Sequence, residues 1–295
     1  MGIEVSALAE PLGAVVTGWR PNQELSAADR GAIERALRQF LVLVFRGHES
    51  PTDAELVRFA SGFGDLVKGT EWFGDRVEYP EILPITNRVG DDGIAQGTGG
   101  AAEFPWHADY SYVPRPGKDS FLDAVELPSR APHTCFCSQY IALETLPKAL
   151  AEPLRDRAAF HAIGPGFDEL ADGGEQAHEI MAGMEGKRKR DEALGIVRPA
   201  YPEAIHPVIF EHPNSGREAL YVSSGITRHI VGMPADESDH LLEELHAHST
   251  RPEFVYTHDW EAGDTVMFDT LGAMHRRDGW ETGEVRFMRQ LSSMC

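Results

Sequence analysis

The chain is poor in cysteine, short of positive charge and without any long apolar run. Three cysteines in 295 residues cannot make a disulfide framework. Cys135 and Cys137 stand too close for an easy mutual bridge, and Cys295 is the last residue. No second Cys/His pair follows the Cys-x-Cys at zinc spacing, so buried strand thiols are the reading of that pair. Lys and Arg total 27 against 47 Asp and Glu, a formal net charge of −20. Such a surface repels nucleic acid and anionic lipid, which excludes both as bulk partners. No stretch is apolar for long enough to span a bilayer, and the first residues lack the basic region and apolar core of a signal peptide. A reducing cytoplasm is therefore the expected location. Internal repeats and low-complexity tracts are also missing. The length allows one large domain or two small ones.

The opening reads as β-α-β-α. GAVVTGW (13–19) predicts a strand, and LSAADRGAIERALRQF a helix capped by Ser26 with Ile33, Leu37 and Phe40 in helical register. LVLVFRG (41–47) is a continuous apolar run that suits a buried strand. SPTDAELVRFASGFG predicts a second helix, with Pro51 at its start. Residues 90–105 include a polar, glycine-rich stretch, either a lid beside a site or a plain surface connection. Beyond Pro116, short strand-like runs (SFLDAVEL, HTCFCSQY, HPVIFEH, EALYVS, FVYTHDW, DTVMFDT, VRFMRQLSS) alternate with turns such as PNSG and EAGD. That spacing suggests a double-sheet jelly roll. A polar, helical insertion is expected over roughly 140–200, holding the one basic run, KRKR at 187–190. A solvated helix face explains that run, with an anionic partner as the alternative.

WHADYSY (106–112) places His107 and Asp109 two residues apart. In an extended segment the two side chains point the same way. A non-haem Fe(II) site needs two imidazoles and one carboxylate on one face of the metal, with the rest left open for co-substrate and O₂. The second imidazole has its best candidate in His275, after the core-like run Val266-Met267-Phe268. Arg286 follows in the next strand, and a fixed arginine grips a carboxylate through two hydrogen bonds.

These segments, in this order, make the chain similar to the taurine dioxygenase (TauD/TfdA-like) family of Fe(II)- and 2-oxoglutarate-dependent dioxygenases. LGAVVTGW, LVLVFRGHE, WHADYSY, HPVIFEHPNSGREALYVSSGITRHIVGM and WEAGDTVMFDTLGAMHR carry the resemblance almost end to end. It implies a single domain over 1–295, of α+β class, with a double-stranded β-helix (jelly roll, cupin-like) core, flanking helices and a helical insertion. It implies that His107, Asp109 and His275 ligate iron. Arg286 would hold the far carboxylate of 2-oxoglutarate, with the Thr134 hydroxyl assisting. The implied reaction consumes O₂ and 2-oxoglutarate, releases succinate and CO₂, and oxidises an unactivated C–H bond of a small molecule. Hydroxylation is the usual outcome; desaturation or rearrangement are variants. Halogenating relatives lack the carboxylate that Asp109 supplies here. Relatives are commonly dimers or tetramers, so a homo-oligomer is expected.

The departures bear on substrate. Many relatives anchor a substrate anion with an arginine fifteen residues past the distal histidine; here Gln290 stands there. On a strand Arg289 points the other way. The substrate is therefore expected to lack a sulfonate or aryloxyacetate anchor, unless Lys68, Lys118 or Arg115 supplies a cation from a loop. The family's Trp-Asp-Asn-Arg is replaced by Phe268, Asp269, Thr270 and Leu271. Asp269 either orients His275 or caps its own turn. Tyr110, Tyr112, Trp72, Glu103 and Lys68 are further candidates for substrate contact. Tyr110 would face away from the metal on a regular strand and towards the pocket if the strand ends. A metal-dependent lyase, isomerase or hydrolase on the same fold, and a catalytically silent binding protein, are the rival readings.

Overall fold

The computed structural model describes residues 2–75, 77–163, 175–281 and 283–295. Two sheets carry the site. The larger has eight strands in the order Glu4–Ala7, Ala14–Thr17, Val42–Phe45, Thr265–Asp269, Gly117–Glu126, Phe287–Met294, Leu83–Thr86 and Thr98–Gly99. The smaller has four, in the order Val255–His258, Thr134–Ser138, Ala273–Arg277 and Phe104–His107. A three-stranded and a two-stranded sheet complete the mixed α+β architecture.

The apolar runs are continuous because the large sheet is covered on both faces. Successive side chains of a strand point to opposite sides. Leu43, Phe45, Phe121, Met267 and Leu291 pack with Ile33 and Leu37 of the helix Ala27–Phe40 and with Leu56 and Phe59 of the helix Asp53–Ser61. Their neighbours Val42, Val44, Leu122, Val266, Phe268 and Met288 turn the other way. There they pack with Phe136, Tyr256 and Ala273 of the small sheet. Cys135 and Cys137 are buried, unpaired thiols of the Thr134–Ser138 strand.

Both opening helices form where their periodicity places them. Ser26 caps the first by accepting from the Asp29 amide at 3.0 Å. The second begins two residues past the expected start at Pro51: it runs from Asp53, and Thr52 closes a capping box with Glu55. The insertion differs from the helical expectation. It holds the helices Gln139–Thr145, Lys148–Leu154 and Glu175–Ala193, but also a strand, Ala158–Ala162, paired with Glu203–Pro207 and Thr227–Ile230. Part of this region, 164–174, lies outside the described residues. No helix among the described residues is long and apolar enough to cross a membrane.

The basic run is not wholly a solvated face. Arg188 and Lys189 are exposed and pair with Glu185. Lys187 turns inward to a buried ion pair with Asp75, and Arg190 donates to the Gly74 carbonyl at 2.6 Å. These contacts seat the Glu175–Ala193 helix on the segment that carries Phe73. Removing one partner of a buried pair strands a charge, at a cost of about 3–5 kcal/mol. Lys187→Met therefore lowers the unfolding free energy by about 3 kcal/mol in urea denaturation, and Asp75→Leu added to it recovers most of the loss. A single variant as stable as wild type would show that the pair contributes nothing.

Candidate active site

The small sheet brings the two histidines together by register. His275 lies directly opposite His107 in the antiparallel pair, and the ring centroids are 4.0 Å apart. A bulge follows at once, so that Arg277 opposes Phe104; bulges beside active sites re-aim side chains in this way. The strand does not continue through Asp109 as expected. It ends at His107, and Asp109 arrives on the turn that follows. The Asp109 amide donates to Thr270 Oγ1 at 2.8 Å, which pins that turn to the end of the large sheet's Thr265–Asp269 strand. Asp109 Oδ1 stands 3.5 Å from His107 Nε2 and 4.0 Å from His275 Nε2. One ligand atom from each of the three residues falls within a span of 4.8 Å.

The electrostatics suit a cation. His107 Nδ1 lies 2.8 Å from the Pro105 carbonyl. That contact requires the proton on Nδ1 and leaves the Nε2 lone pair facing Asp109. Burial pushes the His275 imidazole down to about 3, with His107 adding to the effect, so it is neutral. Burial opposes ionisation of Asp109, but its carboxyl is held low because His275, which becomes a cation only in the same acid range, and His107 favour the anion. A deprotonated carboxylate and neutral imidazoles are the forms that bind metal.

A cavity of about 130 Å³ opens over this group. Arg286, Thr134, Arg277 and Gln290 supply most of its remaining polar wall. Arg286 is buried, with no carboxylate within ion-pair distance among the described residues; its Nε finds no hydrogen-bond partner. Burial and the nearby Arg277 push its guanidinium well below the usual arginine range. A buried cation of this kind calls for an anion. Thr134 Oγ1 accepts from Trp260 Nε1 at 2.9 Å, which leaves its own hydrogen free for an acceptor in the cavity.

The sequence expectations divide at this point. Tyr110 and Tyr112 line the cavity, the former because the chain turns with Tyr110 in the left-handed region at φ 54°. Trp72 lies behind Tyr110, its ring centroid 6.3 Å away, and is absent from the cavity wall. Glu103 faces solvent, 3.7 Å from Arg276, and Lys68 is exposed; the structure brings neither to the cavity. Arg115 pairs with Asp65 at the surface and Lys118 with Asp119. Arg289 points to the opposite face and binds Asp123 and Asp53. Asp269 does not orient His275. Its Oδ1 accepts from the amides of Leu271 and Gly272, and its Oδ2 from Tyr140 and Arg38.

A family model described as taurine catabolism dioxygenase TauD, TfdA family matches residues 4–292. The chain belongs to this family. Pentalenolactone F synthase of Streptomyces arenae is 36% identical to the dioxygenase over 285 residues, covering 96% of this chain and 92% of that protein. The alpha-ketoglutarate-dependent 2,4-dichlorophenoxyacetate dioxygenase of Burkholderia sp. (strain RASC) is 30% identical over 279 residues, 92% of this chain and 87% of that one. In fold, a taurine dioxygenase from Burkholderia xenovorans matches with a TM-score of 0.77 at 24% identity, covering 100% of this chain and 90% of that chain. The protein is thus a 2-oxoglutarate-dependent non-haem iron dioxygenase that uses Fe(II), 2-oxoglutarate and O₂.

Two residues of the dioxygenase site escape sequence reasoning. Arg277 donates to the carbonyls of Gly99 and Gly100, both at 2.9 Å, and to that of Ala102. It therefore ties down the glycine-rich stretch expected to be a lid or a plain surface connection, which forms the edge strand Thr98–Gly99. The signal was available: position 277 follows His275 by two on one strand and shares its face. Thr270 gave no such signal, because its partner is a backbone amide.

Proposed function

We propose that His107, Asp109 and His275 hold the iron, that Arg286 and Thr134 hold the distal carboxylate of 2-oxoglutarate, and that the enzyme oxidises an unactivated C–H bond of a compact, largely apolar small molecule. The observation that carries this reading is the pairing, in one cavity, of a three-donor group with an unmatched buried arginine. A lyase or hydrolase on the same fold has no need of that arginine. The bound metal supplies O₂ activation, driven by decarboxylation of 2-oxoglutarate. The residues do the rest. The imidazoles and carboxylate offer lone pairs from one side, Arg286 and Thr134 fix the far end of the co-substrate, and the apolar wall excludes water. The eight- and four-stranded sheets would be the two halves of a jelly roll, with the whole chain serving as one domain.

Phe73, Leu83, Ile85, Phe104, Met184 and Ile226 make most of the wall apolar. None of the cations at 68, 115, 118 or 289 lines it. This supports a substrate without a sulfonate or aryloxyacetate anchor, and either biosynthetic tailoring or catabolism; hydroxylation is the expected outcome. Tyr112 lines the cavity, and its hydroxyl is the donor we assign to a neutral oxygen of the substrate. Anaerobic addition of Fe(II) and 2-oxoglutarate is expected to give a weak visible charge-transfer band. A folded protein without that band would remove the oxygenase reading. Succinate release should respond to neutral apolar compounds and not to taurine; efficient turnover of sulfonates would refute the substrate class.

A further inference from the structure

Gln290 occupies the place where many relatives put a substrate-binding arginine, yet its amide is already engaged inside the protein. Nε2 donates to Asp109 Oδ2 at 3.2 Å and to Ser292 Oγ at 2.8 Å. Oε1 accepts from the Tyr110 hydroxyl at 3.2 Å. The orientation of the amide follows from its neighbours. Turned over, it would set Oε1 against a carboxylate and lose both donor bonds. The side chain is 4% exposed, so solvent does not compete for these bonds.

The two oxygens of Asp109 therefore have different surroundings. Oδ1 faces both imidazoles, and Oδ2 faces the amide. A second strand of donors leads the same way. Ser292 Oγ lies 2.6 Å from Ser120 Oγ, and Ser120 helps hold the Asp109 carboxyl low. The Gln290 amide thus donates both to Asp109 and to the Ser292–Ser120 hydroxyl pair, and the Tyr110 hydroxyl donates into its oxygen. Met288, Gln290 and Ser292 share the inner face of one strand, and Ser292 is paired in register with Ser120.

We propose that Gln290 is a positioning residue: its amide occupies Oδ2 of Asp109, so that the carboxylate meets the metal through Oδ1 alone, and Tyr110 holds the amide in that orientation. This deepens the assignment of Asp109 as a ligand and rests on it. A carboxylate confined to one coordination position leaves another for the co-substrate or O₂. The role also explains the left-handed backbone of Tyr110, since a regular strand would carry its hydroxyl away from Gln290.

The test is Mn(II) affinity without substrate or co-substrate, by titration with EPR detection, on the full chain. Neighbours that orient a metal ligand are worth about 10–100-fold in affinity. Gln290→Leu should weaken Mn(II) binding by about that factor. Tyr110→Phe, which leaves both Asp109 and the Gln290 donors in place, should weaken it about 3- to 10-fold. If Gln290→Leu does not fold, Tyr110→Phe alone decides. Wild-type Mn(II) affinity in the folded variants, with a raised substrate KM, would overturn the proposal and make Gln290 a substrate contact. If the wild-type protein binds no Mn(II), it is the metal-site assignment that fails.

Discussion

Asp109→Ala abolishes 2-oxoglutarate-dependent succinate formation and weakens Mn(II) binding by roughly 10²–10⁴-fold, if a metal-binding free energy of about 10–16 kcal/mol is shared among three or four ligands. The loss exceeds that of a neutral donor because Asp109 brings the site's negative charge. Its carboxyl is held below the usual carboxylate range by the two histidines against the effect of burial, and is ionised at neutral pH. Protonation cannot imitate the substitution at ordinary pH. The variant keeps the His107–His275 pairing, which comes from the sheet and not from the carboxylate. Far-ultraviolet circular dichroism should therefore match wild type. Equal Mn(II) affinity in the folded variant would show that the three residues do not form the metal site.

Arg286→Met raises the KM for 2-oxoglutarate by about 30- to 1000-fold, the equivalent of about 2–4 kcal/mol for one partner of a buried charge pair. Steady-state kinetics at saturating Fe(II) and substrate will check this, with kcat affected less than KM. The same substitution has the opposite sign on the empty protein. Arg286 is 2% exposed, lies beside Arg277, and meets no carboxylate among the described residues. The indole rings of Trp260 and Trp280, 6.0 and 5.9 Å from the guanidinium carbon, are its compensation. Arg286→Met should make the unliganded enzyme more stable to urea, while metal plus 2-oxoglutarate stabilises it less than wild type. Arg286→Lys should fall between the two, since it keeps the charge and loses the fork. An unaltered KM in Arg286→Met would move the anchor elsewhere, to Arg277 first.

What could be read from the sequence follows the range of each signal. Strand period and helix caps are local, so the opening helices and most strands lie where pattern puts them. His107, Asp109 and His275 stand out because metal chemistry demands those residue types, and Arg286 because a dicarboxylate demands a cation. The side-chain circuits were not legible. Nothing near Lys187 announces Asp75, and nothing near Asp269 announces Arg38; each partner is distant in sequence and adjacent only after folding. Glu103 and Lys68 fail as cavity residues for the same reason, since proximity along the chain to a ligand segment does not fix direction. Tyr110 is instructive in another sense. Alternation along a strand applies only while the strand lasts, and this one stops three residues earlier.

The facing of His275 and His107 across two strands makes the site a check on assembly. Side chains alternate, so a slip of one residue between those strands would turn one imidazole to the wrong side of the sheet. On the proposed ligand set, a chain mispaired there would keep much of its secondary structure and lose its metal site. Mn(II) bound per folded chain would then report fidelity of folding at this pair of strands.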